Sequence, residues 1–223
     1  MLTWLSPGDP VDRFPPHEAA LREPAGLLAA GGDLNPDRLI AAYRRGIFPW
    51  YSPGEPVLWW SPDPREVLFP AEFRCSRSLR RTLRSGRFEQ RWDSDFMAVI
   101  EACAAPRAGS RGTWITPAMR RAYGELHRRG VAHCMESWRD GQLVGGLYGL
   151  RMGAVFCGES MFSTEADASK TALAALVERC AADGITLIDC QMPSAHLRSL
   201  GSRPIPRREF LGYLAGEPPG RIR

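Results

Sequence analysis

The chain has 223 residues, 44% hydrophobic and 24% charged, so it can bury a substantial core as one large domain or two small ones. The first residues lack a basic segment followed by an apolar run, and no stretch approaches the roughly 20 apolar residues of a membrane span. We therefore expect a cytoplasmic protein without a membrane partner. The net charge of +4 is too small to indicate an acidic partner by itself.

Up to about residue 70, the chain is rich in Pro, Gly and Trp. One helix is predicted over residues 36–45, with Asn35 as its N-cap and Gly46 after its last turn, and the rest of this part is expected to be irregular. Residues 46–64 carry aromatic rings between prolines. Such rigid loops can present rings to a base or a peptide, or cover the neighbouring core, and we expect one or two rings to touch a ligand.

A short helix is predicted over residues 76–85, closed by Gly86. Its arginines recur at i, i+3, i+4 and i+7, which places them on one face and leaves Leu79 and Leu83 to anchor the other. The helix contains no acid to neutralise them, so the pattern favours phosphates as the missing partner over a merely solvated face. The four arginines are Arg77, Arg80, Arg81 and Arg84.

From residue 95 onwards, the patterning predicts two helices, an antiparallel meander of three strands, then a helix, a buried strand and two helical turns. A basic, glycine-containing loop is expected over residues 105–116. Gly145 and Gly146 in the middle strand suggest a bulge or a close backbone approach. The predicted bounds are 95–104 and 117–129, then 132–138, 142–151 and 154–160, then 167–182, 185–191, 195–200 and 206–214. This order predicts an α+β protein whose halves pack closely.

Two carboxylates stand in apolar segments, Glu159 in FCGESMFS and Asp189 in LIDCQ. An acid in such surroundings needs a partner, and is a candidate for a functional site. Alternation along a strand places Gln191 on the same face as Asp189, although a helix-capping role for Asp189 is an equal alternative.

The six cysteines lack a C-x-x-C pair, and the four histidines lack metal-site spacing such as H-E-x-x-H. Scattered cysteines in apolar segments are typical of small buried side chains in a reducing compartment. We therefore expect neither a metal nor a disulfide framework.

Seven motifs resemble those of the leucyl/phenylalanyl-tRNA-protein transferase family and cover most of the chain: GGDL, YRRGIFPW, WWSPDPR, GTWIT, LVGGLYG, FCGESMFS and LIDCQ. The resemblance implies a small N-terminal α/β domain over residues 1–65. It also implies an N-acetyltransferase-like domain over residues 66–223, with a mixed, largely antiparallel sheet. The implied activity moves Leu or Phe, with Met as a further candidate, from aminoacyl-tRNA to proteins with N-terminal Arg or Lys. It marks those proteins for degradation and uses no metal, coenzyme A or other cofactor. A monomer is expected by default.

The resemblance also implies roles for individual residues. Asp189 orients or deprotonates the attacking amine, Gln191 shares its hydrogen bonds, and Glu159 binds either that amine or the basic side chain of the acceptor. The amino-acid pocket is Leu147, Phe156, Met161, Leu176 and Ile188. The aromatics at the 3′ end of the tRNA are Tyr43, Trp50, Trp114 and Tyr123. The arginine helix contacts tRNA phosphates, and such contacts position the tRNA without reading its sequence.

Two other classes fit parts of the sequence. A coenzyme A-dependent N-acetyltransferase needs a Q/R-x-x-G-x-G/A loop for pyrophosphate, and the nearest segment places Leu147 where a small residue is required. A non-catalytic RNA-binding protein leaves Glu159, Asp189 and Gln191 unexplained. A metal-dependent nuclease is weaker still, since two separated carboxylates make a poor metal site.

Overall fold

The structure, a computed structural model, describes residues 2–106 and 113–217 and arranges the strands in two sheets. The expected basic loop falls largely on residues 107–112, which lie outside the described residues. The first elements, in chain order, are β1 (Thr3–Leu5), β2 (Leu27–Gly31), α1 (Pro36–Arg44), β3 (Phe48–Pro49) and β4 (Leu58–Trp60). They form a four-stranded sheet in the order β1-β2-β4-β3, with β1 parallel to β2 and the other pairs antiparallel.

The expectation of an irregular segment around α1 was therefore wrong. These strands have two to five residues each, too short for a periodic pattern, and their partners are distant in sequence. The aromatic run is largely structural: Trp59 is fully buried and donates its indole N–H to the carbonyl of Gly31 at 2.9 Å. Trp50 is the exception, with 43% of its surface exposed.

The second sheet has seven strands in the order β11-β5-β10-β9-β8-β7-β6. Only β9 and β10 run parallel within it, which confirms the prediction of an α+β fold with a mixed, largely antiparallel sheet. Its strands are β5 (Arg65–Leu68), β6 (Glu89–Trp92), β7 (Ala132–Arg139), β8 (Gln142–Met152), β9 (Val155–Ser163), β10 (Leu187–Gln191) and β11 (Arg203–Ile205). The meander β7-β8-β9 and the strand β10 were predicted, whereas β5, β6 and β11 were not. The proposed division into two domains near residue 65 stays a prediction.

The remaining helices are α2 (Arg77–Arg84), α3 (Phe96–Ala104), α4 (Pro117–Arg128), α5 (Ala168–Ala182), α6 (Ala195–Ser199) and α7 (Arg207–Ala215). Their starts follow the predicted caps: Asn35 accepts from the backbone N–H of Asp37 at 2.9 Å, and Thr116 accepts from Met119 at 3.2 Å. None of the helices in the described part of the chain is long and apolar enough to cross a bilayer.

The helices cover both faces of the seven-stranded sheet, and alternation along the strands divides the core accordingly. Val155, Cys157 and Leu187 belong to the cluster that includes α3, α4 and the first sheet, whereas Phe156 and Ile188 belong to the cluster under α5. A Cβ atom on Gly145 would lie 2.6 to 2.9 Å from atoms of Ala168 and Ser169, which confirms the close approach predicted for this strand.

Candidate active site

The parallel strands β9 and β10 pair only as far as Cys157 and Asp189, and each strand carries an irregularity at that point. Glu159 is the extra residue of a bulge opposite Tyr148 and Gly149, and Cys190 is the extra residue of a bulge opposite β5. A bulge bends its strand and redirects its side chains. Two cavities open beyond this point and are lined by residues that follow the last paired ones.

The first, which we call the apolar cavity, has a volume of about 260 Å³. Four of the five residues predicted to form the amino-acid pocket line it, namely Leu147, Met161, Leu176 and Ile188. Phe156 does not line it; its ring is fully buried in the same hydrophobic cluster. Leu68, Leu173 and Leu197 complete the apolar wall, and Tyr148, Glu159, Asp189 and Gln191 supply the polar side.

The second, the aromatic cavity, has a volume of about 410 Å³. Trp50 and Trp114, both predicted to lie near the end of a tRNA, line it together with Phe48, Pro49, Met192 and Pro193. The two cavities share four lining residues: Trp114, Glu159, Cys190 and Gln191. A molecule that fills both therefore passes the carboxylate of Glu159 and the amide of Gln191.

Only one of the two carboxylate oxygens of Glu159 has a hydrogen-bond partner among the described residues. The hydroxyl of Tyr123 donates to its Oε2 atom at 3.0 Å, while its Oε1 atom is buried and has no hydrogen-bond partner among the described residues. Burial raises the pKa of Glu159 to about 7, although the nearby hydroxyls of Tyr123 and Tyr43 act in the opposite direction. Near neutral pH, this group can therefore both hold a cation and exchange a proton.

Tyr43 and Tyr123, expected beside Trp50 and Trp114, are instead fully buried behind Glu159, and their hydroxyl oxygens lie 2.5 Å apart. Burial raises the pKa of both phenols well above the usual value, so both remain protonated donors. Only Trp50 and Trp114 of these four line the aromatic cavity.

Asp189 is fully buried and paired with Arg65, which the sequence analysis did not single out. The Nε and Nη2 atoms of Arg65 donate to the two carboxylate oxygens of Asp189, each at 2.7 Å. The backbone N–H of Gln191 donates to the same carboxylate at 2.9 Å. Gln191 has a φ of +56° and directs its amide to the carbonyl of Gly158 at 2.7 Å, so the bulge interrupts the alternation predicted for this strand.

The arginine face of α2 is exposed, and none of its four arginines forms an ion pair with any residue that the structure describes. Of the two leucines, Leu79 is buried and Leu83 is 36% exposed, which corrects the prediction that both leucines pack. Unpaired charges at this spacing remain available to a polyanion.

Arg65 and Tyr148 are the residues that sequence reasoning missed. Arg65 is an arginine at the start of an apolar strand, within the WWSPDPR motif, and this placement was a usable signal. The hydroxyl of Tyr148 lies buried without a partner in the described structure, and the residue lines the apolar cavity. No pattern in its glycine-rich strand indicated this. The described residues contain no group of three or more His, Cys, Asp or Glu side chains that could hold a metal ion.

Comparisons with known proteins are consistent along the chain. The family model described as "Leucyl/phenylalanyl-tRNA protein transferase" matches residues 67–215, and the model of that family's N-terminal domain matches residues 32–63. Curated proteins named leucyl/phenylalanyl-tRNA--protein transferase match at high identity. That of Pseudomonas entomophila is 61% identical over 96% of this chain and 94% of its own length, and that of Azotobacter vinelandii is 63% identical over 90% and 89%.

Two solved structures are more distant. The structure of L-PGS from Bacillus licheniformis covers 70% of this chain and 50% of its own at a TM-score of 0.43 and 9% identity. A GCN5-related N-acetyltransferase from Kribbella flavida covers 74% and 58% at a TM-score of 0.36 and 12% identity. The matches of sequence, over nearly the whole length, show that the chain belongs to the leucyl/phenylalanyl-tRNA protein transferase family.

Proposed function

We propose that this protein transfers Leu, Phe or Met from aminoacyl-tRNA to the α-amino group of a protein. The observation that carries the proposal is the junction at Glu159 and Gln191, where an apolar cavity meets an aromatic one. An aminoacyl-adenosine has the same division, with a hydrophobic side chain on one side of an ester and a purine on the other. The ester would then lie beside the two polar side chains.

The apolar cavity supplies the specificity for the amino acid. Its apolar wall is mainly leucine and isoleucine, and the unbranched thioether of Met161 adapts to side chains of different shape. Leu, Met and Phe gain from burial there, whereas a charged side chain would be desolvated without a partner.

The aromatic cavity takes the terminal adenosine. Trp50 is exposed enough to stack on a base, and Trp114 borders both cavities. Stacking on an aromatic ring contributes about 1 to 3 kcal/mol per base and tolerates different sequences. The arginine face of α2 would contact phosphates of the same tRNA, which adds affinity without selecting one tRNA sequence.

The chemical step needs a neutral amine, because the α-ammonium of the acceptor has no lone pair. Glu159 accepts one proton from that ammonium, and the amine nitrogen attacks the ester carbonyl. A C–N bond forms, the bond from the carbonyl carbon to the ribose oxygen breaks, and a second proton passes from the nitrogen to that oxygen as the tRNA leaves. The first proton then passes from Glu159 to solvent. The ester is already activated, so positioning and one proton transfer provide most of the catalysis.

Within this proposal, Glu159 and Gln191 face the reacting groups. The carboxylate of Asp189 is occupied by Arg65 and by the backbone of Gln191, so we assign it the orienting role and not the removal of the proton. Acceptors with N-terminal Arg or Lys, marking of those proteins for degradation, a monomeric state and a cytoplasmic site of action belong to the proposal as well. The carboxylate of Asp189 is already paired with Arg65, so the basic side chain of the acceptor would balance the charge of ionised Glu159.

The test is transfer of radiolabelled Leu from charged tRNA to a peptide that begins with Arg. The matched controls are the same peptide acetylated at its α-amine and a peptide that begins with Asp. Label on the free Arg peptide alone supports the proposal. Binding of charged tRNA without any transfer would favour an RNA-binding protein, and acetylation of the peptide by acetyl-coenzyme A would favour an N-acetyltransferase.

A further inference from the structure

Arg65 lies behind the candidate site, 1% exposed, and lines neither cavity. All three of its guanidinium nitrogens are used. Besides the two bonds to Asp189, Nη1 donates to the carbonyl of Gly46 at 3.1 Å. Paired bonds between a planar guanidinium and a carboxylate fix orientation as well as distance.

Two aromatic rings hold the guanidinium in plane. Its central carbon lies 4.7 Å from the ring centre of Phe48 and 4.6 Å from that of Phe210. Phe48 also lines the aromatic cavity, whereas Phe210 lies on α7 and is fully buried. Arg65 thereby joins the first sheet, the C-terminal helix and the bulged end of β10.

The contacts continue from Arg65 to the junction of the cavities. Oδ1 of Asp189 accepts from Arg65 and also from the backbone N–H of Gln191, which sits at a φ that is strained for any residue with a side chain. Gln191 then reaches the carbonyl of Gly158, the residue before Glu159. Arg65 and Asp189 are joined by two hydrogen bonds of 2.7 Å, and each of the next two links is a single hydrogen bond, of 2.9 and 2.7 Å.

We propose that Arg65 is a positioning residue for the transfer reaction: through Asp189 it holds the bulge that directs Gln191 to the junction between the two cavities. The inference rests on the proposed function. It assigns to a residue that touches no substrate the geometry on which the reacting groups depend.

Arg65→Lys is the first test, because it keeps the positive charge but replaces the planar fork by a single ammonium. We expect kcat to fall about 10- to 100-fold, as for a misplacement of about 1 Å, while KM for the charged tRNA changes less than about threefold. That split follows because both cavities keep their lining residues. An unchanged kcat would overturn the inference.

Arg38→Lys is the matched control. Arg38 is equally buried. It donates to Asp33 at 3.0 Å and to backbone carbonyls of the N-terminal loops, and none of these partners lines the apolar or the aromatic cavity. The thermal unfolding temperature of both variants shows whether a loss of kcat merely follows a loss of stability. An equal loss of kcat in Arg38→Lys would mean a general structural effect and would overturn the positioning role.

A second pair of variants covers the case in which Arg65→Lys does not fold. Phe210→Leu removes one face of the stack and leaves both charges in place, so kcat should fall with KM unchanged. In an Asp189→Asn background, Phe210→Leu should lower kcat little further, because the effects of substitutions at residues that act as a unit are not additive. Full additivity would contradict the inference. Lack of transfer by the parent protein would instead count against the proposed function.

Discussion

Tyr123 donates its hydroxyl hydrogen to one carboxylate oxygen of Glu159 and leaves the other oxygen buried without a described partner. The phenol favours the ionised carboxylate, whereas burial disfavours it, and the balance raises the pKa to about 7. Glu159 lines both cavities. The group is thus poised to take a proton from a bound ammonium.

The rate of transfer should fall as the pH drops through about 7, because protonated Glu159 cannot accept the proton. Tyr123→Phe removes a hydrogen bond that lowers the pKa of Glu159, so the acidic limb should move to higher pH. Initial rates for both proteins with one peptide would show the difference, since titration of the peptide amine is common to both. Tyr51→Phe, which loses a hydroxyl contact to Thr116, is the control. Coincident profiles of Tyr123→Phe and the parent would contradict this role.

Glu159→Gln should stabilise the protein at alkaline pH. The pKa of Glu159 is about 7 in the folded state, against about 4.3 in an unfolded chain, so the folded state binds more protons between these values. Stability from this group is present at low pH and is lost as pH rises through that window. The neutral amide removes the cost, so chemical denaturation at pH 8 should show a gain on the order of 3 to 4 kcal/mol that shrinks towards pH 5. A loss of stability at pH 8 would contradict a carboxylate whose ionised form is destabilised by burial.

Removing single arginines from α2 should weaken tRNA binding in a salt-dependent way. For Arg80→Ala or Arg84→Ala, the slope of log affinity against log salt should decrease by about 1, since each phosphate contact releases counterions. Arg22→Ala, also exposed but outside α2, is the control and should keep the parent's slope. Equal slopes in all variants would exclude this face from the interface.

Filling the apolar cavity should change the preference among amino acids. Leu176→Phe places an aromatic ring at a buried position in the wall and so reduces the space for a large substrate side chain. The value of kcat/KM for transfer of Phe should therefore fall about 10-fold more than that for Leu. Competition between Leu-tRNA and Phe-tRNA in one reaction measures the ratio directly. An unchanged ratio would place the amino-acid side chain elsewhere.

The predictable parts of the fold are those set by neighbours in sequence. Helix starts at Asn35, Ser76 and Thr116 follow from side chains that cap backbone N–H groups two or three residues ahead. The meander was visible because its strands are long and joined by tight turns. The first sheet was not, because β1 pairs with residues about 26 positions later and neither strand is long enough to show a pattern.

The site divides in the same way. Glu159, Asp189 and Gln191 were found because a polar residue inside an apolar segment is a local signal. Their partners are not local: Arg65 is 124 residues from Asp189, and Tyr123 is 36 residues from Glu159. The bulges that turn Glu159 and Gln191 towards the cavities arise from register between strands, which one sequence does not display. Leu83 was misplaced because only one turn of the short α2 reaches the core.

The most direct measurement of the central claim is a single-turnover experiment with prebound leucyl-tRNA and a peptide that begins with Arg, comparing the parent protein with Glu159→Gln. We expect label on the peptide with the parent and a rate about 10² to 10⁴ times lower with the variant, at similar affinity for the tRNA. A variant as fast as the parent would contradict the assignment of Glu159 as the proton acceptor between the two cavities.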